Sequence, residues 1–102
     1  MTLVTQNVAM IKLFGNKETE KIYLGKTSRR YPPEMQQIAR RKLKMLHAAQ
    51  NLTDLRVPPA NRLEKLQGNL SSYHSIRVNQ QWRIVFIWHE NDALDVQLVD
   101  YH

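Results

Sequence analysis

Apolar and polar residues alternate through the C-terminal third of this chain, and this alternation constrains the fold more than any other feature. From Tyr73 onward, apolar residues occupy every second position in three consecutive runs. The alternating set is Ile76, Val78, Trp82, Ile84, Phe86, Trp88, Leu94, Val96 and Leu98. A period of two is typical of half-buried antiparallel strands, and the polar breaks at 79–81 and 90–92 are short enough for hairpins. The sequence therefore predicts a meander with one sheet face in the core.

Parity also predicts which residues face each other in the first hairpin. A slip of one residue would move the whole apolar set to the other face, so even-numbered residues must meet even-numbered ones. If Val78 faces Trp82, Arg77 lies directly opposite Arg83 on the second face. Because opposed like charges destabilise a sheet, we expect the pair to hold an anion, for which phosphate is a good bidentate match. The alternative is that both arginines are solvated on an open sheet face.

The second hairpin is predicted to bring a tyrosine to the same place. If Trp88 faces Leu94, Val99 faces Arg83 and Tyr101 is its diagonal neighbour. The second face would then carry a phenol beside the two cations.

The last three residues are Asp100, Tyr101 and His102. They supply a carboxylate, a phenol and an imidazole, which are sufficient for acid–base chemistry on a phosphodiester. The alternative is a frayed tail, since chain ends are commonly disordered.

Length and composition exclude several classes of protein. A chain of 102 residues is expected to form one domain over residues 1–102, with residues 1–9 as an N-terminal extension because they lack periodicity. The absence of cysteine excludes disulfides and thiolate metal sites. The four histidines show no metal-ligand spacing, so neither a metal nor a cofactor is expected. No apolar run approaches the roughly 20 residues that span a membrane, and the sequence predicts a cytoplasmic protein.

Positive charge is concentrated in the N-terminal part of the chain. The net charge is +6, and residues 1–62 contain 12 Lys and Arg against four acidic residues, whereas residues 63–102 contain three against five. This asymmetry favours a polyanionic partner, first a nucleic acid and second an acidic protein. The alternative is a cationic surface that only aids solubility.

The longest predicted helix begins in the segment Pro32-Pro33-Glu34, whose residue types are typical of a first helical turn, and it ends near Gln50. One helical stripe comprises Met35, Ile38, Ala39, Lys42, Leu43, Leu46 and Ala49. The opposite side carries the three residues that we call the basic face, namely Arg40, Arg41 and Lys44. Shorter elements are predicted as a strand over Met10–Phe14, a helix over Asn16–Leu24 and a strand over Leu63–Gln67.

The sequence resembles the HigB-type toxins of the RelE/ParE superfamily, the plasmid maintenance killer group. The matching features are Pro58-Pro59, Asn61-Arg62-Leu63, Leu66 with Gly68, Ser75-Ile76-Arg77-Val78, Trp82-Arg83-Ile84 and Asp100-Tyr101-His102. The resemblance covers about nine tenths of the chain. It implies an α+β fold, a compact RelE-like domain with N-terminal helices packed on one face of a twisted antiparallel sheet.

The resemblance also implies a function, a ribosome-dependent endonuclease that cleaves mRNA without a metal and so inhibits translation and growth. Its implied partners are the ribosome, mRNA and a helix-turn-helix antitoxin of the HigA type, with operator DNA contacted only through the antitoxin. Two alternatives remain: a non-catalytic gyrase poison of the ParE type with the same fold, or a basic nucleic-acid-binding module.

Family roles carry over to particular residues of this chain. The implied catalytic residues are Arg77, Arg83, Asp100, Tyr101 and His102. The expected RNA- or ribosome-binding residues are Arg40, Arg41, Lys44, Arg62 and Lys65. The chain departs from the family where some members have a histidine and a lysine that assist the reaction, since it has Glu64 and Gln67 there. This departure lowers the positive charge at that point.

Overall fold

Two helices pack against one face of a five-stranded sheet in the computed structural model, which describes residues 10–101. The elements are β1 (Met10–Ile11), α1 (Lys17–Tyr23), α2 (Pro33–Ala48), β2 (Glu64–Lys65), β3 (Tyr73–Arg77), β4 (Trp82–His89) and β5 (Asp92–Asp100). The sheet order is β1-β5-β4-β3-β2, with β2 to β5 antiparallel and β1 parallel to β5. The predicted α+β class is confirmed. The predicted extension at residues 1–9 and the predicted catalytic residue His102 lie outside the described residues.

The first hairpin has the predicted register. Arg77 is paired with Arg83 across β3 and β4. The backbone N–H of Val78 donates to the carbonyl of Trp82 at 2.9 Å. The side-chain oxygen of Asn79 closes the connection by accepting from the backbone N–H of Trp82 at 2.8 Å. Short-range parity was therefore sufficient to predict this pairing.

The second hairpin keeps the predicted register only at the end near the arginines. Arg83 is paired with Val99, as predicted. At the other end Trp88 is paired with Ala93 rather than with Leu94, so this part of the prediction is wrong. Ala93 is consequently fully buried in the core, and Leu94 belongs to the other face.

A β-bulge in β5 causes this change of register. The pairs on either side of it are Val85–Gln97 and Ile87–Leu94, so β5 has two residues where β4 has one. Asp95, one of those two residues, has a φ of 53°, in the left-handed region that bulges often use. The Tyr73 hydroxyl donates to the Asp95 carboxylate. The N-terminal strand is shorter than predicted. It covers Met10–Ile11, and Phe14 contacts the sheet through an isolated bridge to Val96, next to the bulge.

The first helix is capped and then attached to the edge of β5. The Asn16 side chain accepts from the backbone N–H of Thr19 at 2.8 Å, which stabilises the helix start. Thr19 is fully buried, and its hydroxyl accepts from the backbone N–H of Leu98 at 3.0 Å. The helix predicted over Asn16–Leu24 is confirmed, whereas the strand predicted over Leu63–Gln67 is reduced to Glu64–Lys65.

The second helix buries the predicted stripe. Its buried residues are Met35, Ala39, Lys42, Leu43 and Leu46, and they pack with β-strand residues in one hydrophobic core. The basic face is exposed, as predicted. None of the helices within residues 10–101 is long and apolar enough to cross a membrane.

A buried lysine joins this helix to the segment that leads into the sheet. Lys42 is 8% exposed, and its ammonium donates to the side-chain oxygen of Asn61. Asn61 is fully buried, and its amide donates to the carbonyl of Leu55 at 3.0 Å. Burial lowers the pKa of Lys42, and the neighbouring charge of Arg41 lowers it further. The Lys42–Asn61 contact therefore fixes the turn that precedes Arg62.

Candidate functional site

Arg83 is the centre of the candidate site. It lies on the sheet face opposite to the apolar set, yet it is only 6% exposed. Its Nε donates to the Ser75 hydroxyl at 2.8 Å, and its Nη2 donates to the backbone carbonyl of Arg62. The alternative of two solvated arginines is thus wrong for Arg83, whose guanidinium is held in one orientation.

The Arg62 carbonyl reaches Arg83 because of the local backbone. Arg62 follows the short 3-10 turn Pro59–Asn61 and has φ 45° and ψ 59°, a left-handed conformation. Such a conformation is uncommon for a residue with a side chain. The buried Asn61 fixes the turn from the helix side, so the position of this carbonyl depends on contacts in the core.

The electrostatic environment of Arg83 is mixed. Burial lowers its pKa; the nearby charges of Glu64 and Tyr101 raise it, and those of Arg77 and Arg62 lower it. Oε1 of Glu64 lies 3.9 Å from Nη2 of Arg83. A buried guanidinium among other arginines gains from an anion, which makes this face suitable for binding a phosphate.

Tyr101 lies against the same guanidinium. The Arg83 Cζ is 5.3 Å from the centre of the Tyr101 ring, within the range of cation–π contacts. The backbone N–H of Tyr101 donates to the Gln81 carbonyl at 2.6 Å, and the Gln81 side chain donates to the Asp100 carboxylate at 3.0 Å. The end of β5 is therefore held to the first hairpin, and 45% of Tyr101 remains exposed.

Arg77 completes the cationic part of the site. It is half-buried and sits opposite Arg83 in the sheet. Its Nε donates to the carbonyl of Asn79 at 3.1 Å. Two arginines thus share one patch, and the contacts to Ser75 and Arg62 fix the deeper one.

The other predicted binding residues are distributed over two faces. Arg62 is exposed and adjoins Arg83. Lys65 is paired with His74, whose side chain stacks on the core residue Phe86, so by parity Lys65 belongs to the other face. The basic face lies on α2, which packs against that same other face. The structure therefore brings Arg62 to the arginine pair and keeps the remaining basic side chains apart from it.

Two members of the site were not predicted from the sequence. Ser75 is fully buried beside Arg83, and Glu64 is its neighbour on β2. Strand parity would have placed Ser75 on this face, because Ser75, Arg77 and Arg83 are all odd-numbered. Among residues 10–101, no group of three or more histidine or acidic side chains could hold a metal ion.

Sequence comparison identifies the relatives of this chain. The family described as the RelE-like toxin of the type II toxin-antitoxin system HigB matches residues 8–102. Toxin HigB-1 of Vibrio cholerae serotype O1 is 44% identical over 86 residues, which cover 83% of this chain and 90% of that protein. An uncharacterized protein of Haemophilus influenzae is 38% identical over 74 residues, which cover 72% of this chain and 73% of that protein. The chain therefore belongs to the HigB-like family of RelE-like toxins.

Proposed function

We propose that this toxin is a ribosome-dependent endoribonuclease that cleaves mRNA and thereby inhibits translation and growth. The observation that carries the proposal is the buried Arg83 guanidinium, which Ser75 and Arg62 hold in place and against which the Tyr101 ring packs. Donors that are fixed in advance stabilise the charge that develops in a transition state without reorganising. A fixed cation beside an exposed phenol is suited to a phosphodiester.

The proposed reaction is attack by a ribose 2′-hydroxyl on the adjacent phosphorus. It requires a base for the hydroxyl proton, an acid for the leaving 5′-oxygen and cations on the non-bridging oxygens. Arg77 and Arg83 supply the cations. Asp100 or Tyr101 positions or accepts a proton, and His102, with a reference pKa near 6.5, acts as acid or base. This mechanism uses no metal or cofactor.

The ribosome supplies much of the substrate positioning in this proposal. Holding a reactant in the correct geometry can lower a barrier by several kcal/mol. Arg62 contacts the mRNA backbone beside Arg83, and Lys65 and the basic face contact ribosomal RNA, because lysine and arginine commonly bind phosphates without reading bases. The two faces of the sheet would then have separate roles.

The toxin-antitoxin family implies an antitoxin partner. We propose a helix-turn-helix antitoxin of the HigA type, which binds the basic face and alone contacts the operator DNA. Because the basic face lies on the side of the sheet away from Arg83, this antitoxin would neutralise the toxin without occupying the arginine pair.

The test is cleavage of mRNA on purified ribosomes by the parent and by Tyr101→Phe. This substitution removes one hydroxyl and keeps the ring on Arg83. Loss of an acid–base group typically lowers a rate by about 100-fold or more, so we expect a loss of this size. Tyr23→Phe makes the same chemical change in α1 and should cleave like the parent. Absence of cleavage by a folded parent in the presence of ribosomes would refute the proposal.

A gyrase poison of the ParE type is the second candidate function. The observation that favours it is the Glu64 carboxylate, which lies 3.9 Å from Arg83 Nη2 and offsets part of its positive charge. Gln67 stands where some family members have a lysine, and this also lowers the positive charge near the site. DNA supercoiling by purified gyrase distinguishes the two candidates, since a ribosome-dependent nuclease leaves this activity unchanged. A binding module without toxicity would instead cause no growth arrest when expressed.

A further inference from the structure

We infer that a groove between the α1–α2 loop and α2 receives an acidic segment of the antitoxin that carries an apolar side chain. This inference rests on the antitoxin docking proposed above and names the surface that makes the contact. Residues 25–29 of the loop form one wall of the groove, and Pro33, Gln37 and Arg40 of α2 line the other. Its volume is about 700 Å³, within the range of about 300–1,000 Å³ that binding pockets have. Because Arg40 also belongs to the basic face, the groove continues that surface.

The loop wall of the groove is held in place by both helices. Nε2 of Gln36 donates to the backbone carbonyls of Ser28 and Tyr31 at 2.7 and 2.8 Å. The backbone N–H of Ser28 donates to Oε1 of Gln36 at 3.0 Å, and the Ser28 hydroxyl donates to the Glu18 carboxylate. A partner that binds this wall therefore loses little free energy to ordering of the loop.

The groove is positively charged. Lys26 and Arg29 of the loop and Arg40 of α2 line it, and all three are exposed. Within residues 10–101, none of the side chains that line the groove is acidic, and none of these three cations forms an ion pair. Complementary charge steers association and suppresses wrong partners. The partner that fits this groove therefore carries carboxylates.

The guanidinium of Arg40 lies directly against the loop backbone. Gly25 has a φ of 85°, a conformation that glycine adopts readily. A Cβ atom at Gly25 would lie 3.1 Å from Nη2 and 3.2 Å from Cζ of Arg40, so the absence of a side chain there gives the guanidinium its place. A guanidinium at the edge of the groove can bind a carboxylate through two parallel hydrogen bonds.

The base of the groove favours a protein over RNA. Ile22 and Tyr31, which are 1% and 5% exposed, line the groove beneath the charged side chains. The Tyr31 ring packs edge-on against Trp82 with 5.2 Å between ring centres, so it does not offer the stacking surface that single-stranded RNA sites use. An apolar side chain of a partner can instead fill the base, as anchor residues do at protein interfaces.

The first test reverses groove charges that lie outside the basic face. In the double variant Lys26→Glu with Arg29→Glu, we expect the Kd for the purified antitoxin to rise by about 10-fold or more at low salt, because like charges then oppose the carboxylates of the partner. Surface plasmon resonance measures this change. Lys12→Glu with Arg56→Glu makes the same change in net charge at exposed positions outside the groove. An equal loss of affinity in this control would overturn the inference.

The second test fills the groove without changing its charge. Gln37→Trp should also raise the Kd for the antitoxin by about 10-fold or more, equivalent to about 1.4 kcal/mol, because the indole occupies the space of the apolar anchor. Gln50→Trp, an exposed change beyond the end of α2, is the matched control. An unchanged affinity in a Gln37→Trp variant with the thermal stability of the parent would overturn the inference, even if charge reversal weakens binding.

The remaining outcomes separate this inference from the proposed function. If the groove variants bind the antitoxin like the parent but bind ribosomes more weakly, the groove serves RNA and the inference is overturned. Without antitoxin, Gln37→Trp should cleave mRNA on ribosomes like the parent, and the antitoxin should inhibit this cleavage less. A parent that binds the antitoxin but does not cleave overturns the nuclease function alone, whereas a parent that cleaves but does not bind it overturns the docking.

Discussion

Substitution of Asn61 by alanine should destabilise the protein strongly, although Asn61 lies outside the proposed catalytic groups. Asn61 is fully buried. Its amide donates to the Leu55 carbonyl at 3.0 Å and contacts the Met45 sulfur at 3.2 Å, and its oxygen accepts from the Lys42 ammonium. Alanine leaves the carbonyl and the buried ammonium without these partners.

The expected loss follows from these two groups. Leaving a buried polar group unsatisfied costs about 1–3 kcal/mol, and more for a charged group. We therefore expect a loss of about 3–5 kcal/mol in the free energy of unfolding, a large part of the roughly 5–15 kcal/mol of a typical domain. At about 4 °C or more per kcal/mol, the melting temperature should fall by about 12 °C or more.

Thermal and urea unfolding, followed by circular dichroism, measure this loss. A double-mutant cycle with Lys42→Met isolates the ammonium contact, because Asn61→Ala should cost at least about 1 kcal/mol less once the lysine charge is gone. The exposed Asn69→Ala controls for the loss of an amide at the surface. If Asn61→Ala unfolds within about 1 kcal/mol of the parent, the buried contact does not stabilise the fold and the reasoning is wrong.

Three further predictions concern other parts of the chain. A chain that starts at Met10 should lose less than about 1 kcal/mol of stability, and a larger loss in urea unfolding would show that residues 1–9 are structural. Replacing the three residues of the basic face by glutamate should weaken antitoxin binding and slow association at low salt. An affinity and a salt dependence that stay unchanged in surface plasmon resonance would exclude this docking surface. Burial lowers the pKa of the His74 imidazole below 6.5, and the charge of Lys65 lowers it further. As the pH falls, the unfolded chain therefore binds the proton first, and the free energy of unfolding decreases from pH 6.5 downward. His74→Phe should lack this loss, and parallel stability curves for parent and variant below pH 6.5 would contradict the assignment.

The part of the site that depends on counting residues along strands could be predicted from the sequence. Alternation placed Arg77 opposite Arg83, and Arg83 opposite Val99, because strand parity needs only local order. The bulge could not be predicted in this way. Leu94, Val96 and Leu98 read as an unbroken alternation, and nothing in that alternation indicates the left-handed conformation of Asp95.

The burial of Arg83 could not be predicted because it depends on a distant segment. The carbonyl that accepts from Nη2 belongs to Arg62, 21 residues earlier in the chain. Periodicity did place Lys42 on the buried stripe of its helix, which is confirmed. Its acceptor, Asn61, lies 19 residues away, and a local pattern does not specify such a partner.

The attachment of α1 to β5 has a consequence for how other chains can associate with this toxin. β1 pairs with one end of β5, Phe14 bridges to its middle, and Thr19 accepts the backbone N–H of Leu98 further along. An extended segment of a partner adds to a sheet by pairing with free backbone groups at an edge. Since the outer edge of β5 is already occupied at these points, strand addition and edge-to-edge aggregation are disfavoured there, and recognition at this edge depends on side chains.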